Sequence, residues 1–208
     1  MDDETRRGIE AFRHWVDETK PGRMVFFGGA GVSTESGIPD FRSPDGLYAQ
    51  KYPHPPEQMI SRSFFDAHPA EFFAFYGDRM LALDAQPNRA HRKLADLERA
   101  GTLSAVVTQN IDGLHQKAGS ERVLELHGSV LRNFCMDCGA AYPVDELLRL
   151  RDEAADGVPR CPACGGIVKP DVVLYEEALD ERTLQASVDA IAHADLLVVA
   201  GTSLSVYP

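Results

Sequence analysis

Four cysteines, one histidine and a run of glycines carry the chemistry legible in this sequence. Cys135-x2-Cys138 and Cys161-x2-Cys164 contain every cysteine of the chain, with residues 139–160 between the pairs. Each pair can chelate from one tight turn, with Gly139 after the first and Gly165-Gly166 after the second. Two such knuckles supply four thiolates, which fill the tetrahedral shell of Zn2+ and leave no position open for water. The expected zinc is therefore structural and outside the chemistry. Redox-active disulfides are the alternative, but that chemistry ordinarily needs a single Cys-x-x-Cys.

A second constellation is a crevice. Met24 to Phe27 is a short apolar run suited to a buried parallel strand. Small residues Gly28, Gly29, Ala30 and Gly31 follow, then Ser33, Thr34 and Ser36, which can cap a helix start. Strand, glycine turn and helix N-terminus make a pyrophosphate site, because glycines admit the anion and free N–H groups face it. The late Gly37 departs from GxGxxG spacing, and an ordinary tight turn is the competing reading. Ser104 to Thr108 reads as a second strand delivering Gln109, Asn110, Ile111 and Asp112. Val123 to Leu126 is a third, delivering His127, and Asp195 to Ala200 a last, delivering Gly201, Thr202 and Ser203. Runs that end this way line one edge of an open parallel sheet, where such sheets bind ligands. Asn110 and Asp112 can hydrogen-bond a carboxamide through its donor and acceptor faces. His127 is a candidate general base, its ordinary pKa lying close to neutral; a purely structural hydrogen bond is the alternative. The second strand lacks the terminal acid that holds a dinucleotide ribose, so nothing favours hydride transfer.

The remaining elements must position these groups. Arg6 to Thr19 reads as an amphipathic helix with Ile9, Phe12 and Val16 on one face and Trp15 beside it, closed by Lys20-Pro-Gly22. Ser43 to Gly46 is a turn. Tyr52-Pro-His-Pro-Pro56 excludes regular helix and central strand and is expected to be a mobile flap near the crevice. Ser63 to Leu83 reads as one helix with an aromatic core face from Phe64, Phe65, Phe72, Phe73, Phe75 and Tyr76. Another helix starts at Asn88–His91 and ends near Gly101. The 208 residues suffice for one α/β domain with a smaller module. With 32 acidic against 21 basic residues and a formal charge of −11, a large nucleic-acid footprint is not expected. The charged start Met1-Asp-Asp-Glu-Thr-Arg-Arg lacks a signal peptide's apolar core, and no run reaches membrane-spanning length. A cytoplasmic protein without membrane contact is the expectation.

Gly31-Val-Ser-Thr-Glu-Ser-Gly-Ile-Pro-Asp-Phe-Arg42 resembles the signature of the sirtuins, the NAD-dependent protein deacylases. Thr108-Gln-Asn-Ile-Asp112, Leu126-His-Gly128 and Gly201-Thr-Ser203 are similar to three further blocks of that family, in the same order, with the cysteine pairs between the last two. The resemblance implies a Rossmann-like parallel sheet with helices on both faces, a zinc-ribbon module and a helical insertion. It divides the chain into 1–48, 85–131 and 170–208 for the sheet domain, 49–84 for flap and insertion, and 132–169 for the zinc module.

It also implies that NAD is consumed, yielding nicotinamide, free lysine and acyl-ADP-ribose from acyl-lysine proteins or peptides. His127 matches the family's base, which activates a ribose hydroxyl, and Asn110 with Asp112 the nicotinamide-pocket pair. Ile38 and Asp40 match residues that close that pocket, and Phe41 the ring shielding the reactive ribose. Gly29, Ala30, Gly31, Ser33, Arg42, Gln109, Ile111, Gly201, Thr202 and Ser203 match cofactor contacts. Val172, Val173, Leu174 and Tyr175 match the segment that pairs with substrate as an added strand, Val173 receiving the lysine N–H on its carbonyl. Tyr175-Glu176 stands where many members have Phe-Gly. Phe75-Tyr-Gly-Asp-Arg79 resembles the pattern by which one branch reads succinyl and malonyl carboxylates through Tyr76 and Arg79; core packing with a solvated arginine is the alternative. Members of the family continue through two more strands after Gly-Thr-Ser, so a missing C-terminal end and an unpaired last strand are expected. Mono-ADP-ribosyl transfer, or acyl-lysine binding without turnover, are the other functional readings.

Overall fold

The computed structural model describes residues 1–41, 43–44 and 46–205. Arg42, one of the expected cofactor contacts, lies outside them. In chain order the strands are β1 (Met24–Gly28), β2 (Leu103–Thr108), β3 (Val123–Glu125), β4 (Gly128–Cys135), β5 (Ala141–Pro143), β6 (Val168–Val172) and β7 (Leu196–Ala200). The helices are α1 (Asp3–Glu18), α2 (Pro56–Met59), α3 (Arg62–Ala67), α4 (Pro69–Arg79), α5 (Arg89–Arg99), α6 (Leu114–Lys117), α7 (Val144–Glu153) and α8 (Glu181–Ala192).

The main sheet is parallel in the order β3-β2-β1-β7. β1 and β2 are apolar on consecutive residues because both of their faces are covered. Met24, Phe26, Leu103 and Val106 pack on one face with Leu94 of α5 and Val16 of α1. Val25, Ala105 and Val107 pack on the other with Ala190 of α8. The order reverses between β1 and β7, and such a switch point opens a crevice at the strands' C-terminal ends. α5 starts where expected, and Asn88 caps it: its Oδ1 accepts from the Ala90 and His91 amides, and His91 Nδ1 accepts from the Asn88 amide.

A second, antiparallel sheet, β5-β4-β6, carries the cysteines. It couples directly to the crevice. β4 starts immediately after His127, and β6 ends immediately before Val173. Gly128 sits at φ 75°, and a Cβ there would lie 1.9 Å from the Asp171 carbonyl oxygen, so only glycine permits this close pairing beside His127. α3 and α4 bury Phe64, Phe65, Phe72, Phe73, Phe75 and Tyr76 in one cluster with Leu147, Val158, Cys135 and Cys161 of the cysteine module.

Several expectations need correction. Ser63 to Leu83 is two helices, not one: Pro69 has no amide hydrogen and drives His68 out of the helical region to φ −135°, ψ 56°, so α4 starts afresh with proline in its first turn. It ends at Arg79, four residues short of Leu83. The expected helix after the glycine turn is absent; Ala30–Val32 and Thr34–Ser36 form single 3-10 turns, and Gly37 at φ 83° ends the second. Along α1 only Val16 reaches the core; Ile9, Phe12 and Trp15 are exposed, because no described residue covers that face. The expected flap segment has no regular structure up to Pro55, and α2 begins at Pro56. β7 pairs with β1 alone among the described residues, and Leu197 and Val199 are exposed.

Candidate active site and metal centre

Polar side chains at the ends of β1 and β2 form one connected chain. The Ser33 hydroxyl donates to Asp112 Oδ2 at 2.6 Å and accepts from Asn110 Nδ2 at 3.0 Å. The Asn110 amide donates to Thr108 Oγ1, the last side chain of β2, and the Leu114 amide donates to Asp112 Oδ1. Both Ser33 and Asn110 are buried, so these bonds fix an amide and a carboxylate side by side. That pair offers the donor and the acceptor that a carboxamide requires, and the residues fit an NAD nicotinamide.

His127 follows β3 and shares this wall. Its Nδ1 lies 2.9 Å from the Gln109 carbonyl oxygen. A carbonyl only accepts, so Nδ1 carries the hydrogen and Nε2 keeps its lone pair. Burial pushes the imidazole pKa below its usual 6.5, and the Gln109 bond opposes that only in part. At neutral pH the ring is uncharged and able to take a proton.

These groups line a cavity of about 200 Å³, with Ala30, Ser33, Ile38, Phe41, Gln109, Asn110, Ile111, Asp112 and His127 on its walls. Val172, Val173, Leu174 and Tyr175 line it too, so the expected substrate segment and cofactor residues share one space. The Val173 amide donates to the His127 carbonyl at 3.0 Å. Leu47, Tyr48, Ile60 and Met80 were not anticipated as lining residues.

Gly29, Gly31, Gly201, Thr202, Ser203 and Asp40 do not line this cavity. The glycines have another job. Gly31 donates its amide to the Gly201 carbonyl at 2.9 Å, and Gly29 donates to Ala200. A Cβ on Gly29 would come within 2.8 Å of Gln109 Oε1, Gly201 O and Thr202 Cβ; one on Gly31 would meet Gly201 Cα at 2.8 Å. Both amides are thus spent across the switch point, and the glycines are needed for close backbone approach. Thr202 Oγ1 donates to Gln109 Oε1 at 2.8 Å, tying the last turn to the second strand. Asp40 Oδ1 accepts from the Ser43 amide, and Ser203 and Ser205 hydroxyls bond each other.

Tyr76 and Arg79 part company. Arg79 lines the cavity, pairs with Asp78 at 2.7 Å and stands 5.8 Å from the Tyr52 ring centre. Tyr76 stacks on Phe72 in the aromatic cluster, and its hydroxyl has no hydrogen-bond partner among the described residues. Burial pushes its pKa up.

The four cysteine Sγ atoms lie within 4.8 Å of one another. Cys135–Cys164 and Cys138–Cys161 are 3.4 and 3.6 Å apart, far beyond a disulfide bond. Zn–S bonds of about 2.3 Å at tetrahedral angles place sulfurs about 3.8 Å apart, so the cluster fits zinc. Cys135 and Cys161 are buried, and the Tyr142 hydroxyl lies 3.0 Å from Cys161 Sγ.

A doubly wound parallel sheet with a ligand cavity at its strand ends, joined to a four-thiolate module, defines a dinucleotide-cleft α/β protein. A model of the Sir2 family matches residues 29–208. An NAD-dependent protein deacetylase of Clostridium acetobutylicum is 57% identical over 187 residues, 89% of this chain and 75% of that protein. NAD-dependent protein deacylase 2 of Archaeoglobus fulgidus is 46% identical over 209 residues, all of this chain and 78% of that protein. A Sir2 structure with p53 peptide and NAD+ is similar at TM-score 0.84 and 38% identity, covering 96% of this chain and 78% of that one. One bound to acetylated peptide is similar at 0.84 and 37%, with the same coverage. The chain belongs to the Sir2 family, the sirtuins. Among the described residues no helix is long and apolar enough to cross a membrane.

Proposed function

We propose that this chain is an NAD-dependent protein-lysine deacylase, with acyl-lysine peptides as substrates and the cavity beside His127 as its reaction site. The observation that carries the reading is convergence: the Ser33–Asn110–Asp112 chain, a neutral His127 and the Val172–Tyr175 segment all line one space. Bound there, NAD supplies an electrophilic ribose carbon with nicotinamide as leaving group.

The protein's own groups divide the work. Asn110 and Asp112, held by Ser33 and the Leu114 amide, orient the carboxamide. Ile38, Phe41 and Ile111 supply apolar walls that exclude water. Val173 has its amide occupied by His127, while its carbonyl accepts no hydrogen bond among the described residues and is free for a lysine N–H. His127 takes a proton from a ribose hydroxyl at Nε2, its Nδ1–H staying on Gln109. Ala30 and Gln109, on the cavity wall, contact the rest of the dinucleotide; Gly29 and Gly31 act indirectly, keeping the turn at residues 201–203 close beside it, and the four cysteines hold structural zinc.

Arg79 on the cavity wall favours a second reading for the acyl group, in which a succinyl or malonyl carboxylate pairs with it. Acetyl-lysine remains the primary substrate proposed. His127→Ala tests the assignment of the base. Deacetylation should fall by about a hundred- to ten-thousand-fold with the fold retained. Near-normal turnover in the variant would remove His127 from that role.

A further inference from the structure

The substrate segment of this chain carries two residues, Tyr175 and Glu176, where many sirtuins have Phe-Gly. Both side chains make bonds that the commoner residues cannot. Glu176 stands at φ 76°, in the left-handed region that favours glycine. An L-residue is held there only when its surroundings over-determine it. The surroundings do so through the carboxylate: Oε2 accepts from the Ser63 amide at 2.8 Å, and Oε1 accepts from the Ser63 hydroxyl at 3.0 Å. Next to it, Tyr175 has both backbone groups taken by the insertion, its amide donating to Ile60 and its carbonyl accepting from Arg62. Its hydroxyl pairs with that of Tyr48 at 2.9 Å. Tyr48 in turn donates its amide to the Phe41 carbonyl and packs edge-on against the Phe41 ring.

We propose that Tyr175-Glu176 is a clamp that pre-forms the peptide groove, with Glu176 as the positioning residue. It staples the strand that receives the acyl-lysine peptide to the start of α3, while Tyr175 ties the same strand to the segment carrying Phe41. A groove already in its bound shape loses less entropy when a peptide adds to it as a strand. A sirtuin with Phe-Gly at these positions has neither side-chain bond. The inference rests on the deacylase reading for its kinetic consequences, but the clamp itself is testable without turnover.

The competing role for Glu176 is charge recognition of basic residues near the acyl-lysine, and two substitutions separate the roles. Glu176→Gly removes the carboxylate and accepts φ 76° without strain, so the fold is kept. Glu176→Gln keeps an acceptor for the Ser63 amide and gains a donor for its hydroxyl, preserving the staple without charge. For the clamp, Glu176→Gly should raise KM for an acetyl-lysine peptide about five- to tenfold, part of the worth of the two bonds to Ser63 at an exposed site, while KM for NAD stays within about twofold. Glu176→Gln should restore the peptide KM. Hydrogen exchange should speed up at residues 172–177 and 61–65 in the glycine variant only. Unchanged exchange in Glu176→Gly, or a glutamine variant as impaired as glycine, overturns the clamp. Absence of NAD-dependent turnover in the unmodified protein would instead defeat the deacylase reading, with the exchange measurement still deciding the clamp.

Discussion

Mild acid should destabilise this protein through a histidine outside the proposed chemistry. His115, in α6, is 1% exposed and packs its ring on His91 and Phe26, with centroids 4.7 and 6.2 Å away. Neither ring nitrogen has a hydrogen-bond partner among the described residues. Burial first, and the neighbouring His91 second, push its pKa from 6.5 down to about 3. His91 is lowered by burial as well, with Asp112 opposing and Arg92 adding to the shift. An unfolded chain protonates His115 near 6.5, whereas the folded chain does so only near 3. The stabilisation is therefore complete above pH 6.5 and is lost as the pH falls from 6.5 towards 3. At pH 5 the unfolded state has been favoured over about 1.5 pH units, which amounts to ~2 kcal/mol at about 1.4 kcal/mol per unit. That is a large share of a typical domain's 5–15 kcal/mol, roughly. Urea unfolding of the unmodified protein and of His115→Leu at pH 7.5 and 5.0 measures it. Carboxylates and cysteine thiolates titrate in both proteins and cancel, and any uniform repacking loss drops out of the pH difference. The unmodified protein should lose ~2 kcal/mol more than the variant between the two pH values. Equal losses would refute the account of a neutral, unsolvated His115.

Three more expectations concern the metal, the acyl group and the base. About one zinc per chain should co-purify by elemental analysis, and Cys135→Ser should expose β4–β6 to protease and loosen α3 and α4, since Cys135 and Cys161 belong to their aromatic cluster; metal-free protein with intact disulfides would contradict this. Arg79→Met should lower turnover of succinyl-lysine peptide tenfold or more, roughly the worth of a charge-assisted bond, and that of acetyl-lysine peptide far less; equal losses would make Arg79 structural. Because burial lowers the His127 pKa, deacylation should persist above an acidic limb lying below pH 6.5, where the base becomes protonated, and a limb above 6.5 in the pH–rate profile would contradict the buried neutral imidazole.

The parts of the fold carried by local pattern were readable from the residues. Four apolar runs with polar ends gave the parallel sheet and its crevice, and two Cys-x-x-Cys knuckles gave the thiolate cluster. Pairing across long sequence distances was not readable. Nothing local to Gly29-Ala-Gly31 says that its amides bond the Gly201 turn, so an anion-binding helix start was expected where strand-end contacts occur. His68-Pro69 did carry a legible break, which the aromatic periodicity of Ser63 to Leu83 obscured. Ser33 was expected at the cofactor, but its position between Asn110 and Asp112 depends on β1 pairing with β2. The buried His91–His115 contact arises from α5 and α6 meeting beside the sheet, and neither histidine stands in a motif that signals it.

Product stoichiometry tests the central claim most directly. The protein is incubated with NAD and an acetyl-lysine peptide, and nicotinamide and free-lysine peptide are quantified together by mass spectrometry. The account predicts equal amounts of the two, formed only when both substrates are present, with acetyl-ADP-ribose as third product. Nicotinamide release without peptide deacetylation, or deacetylation without NAD, would contradict it.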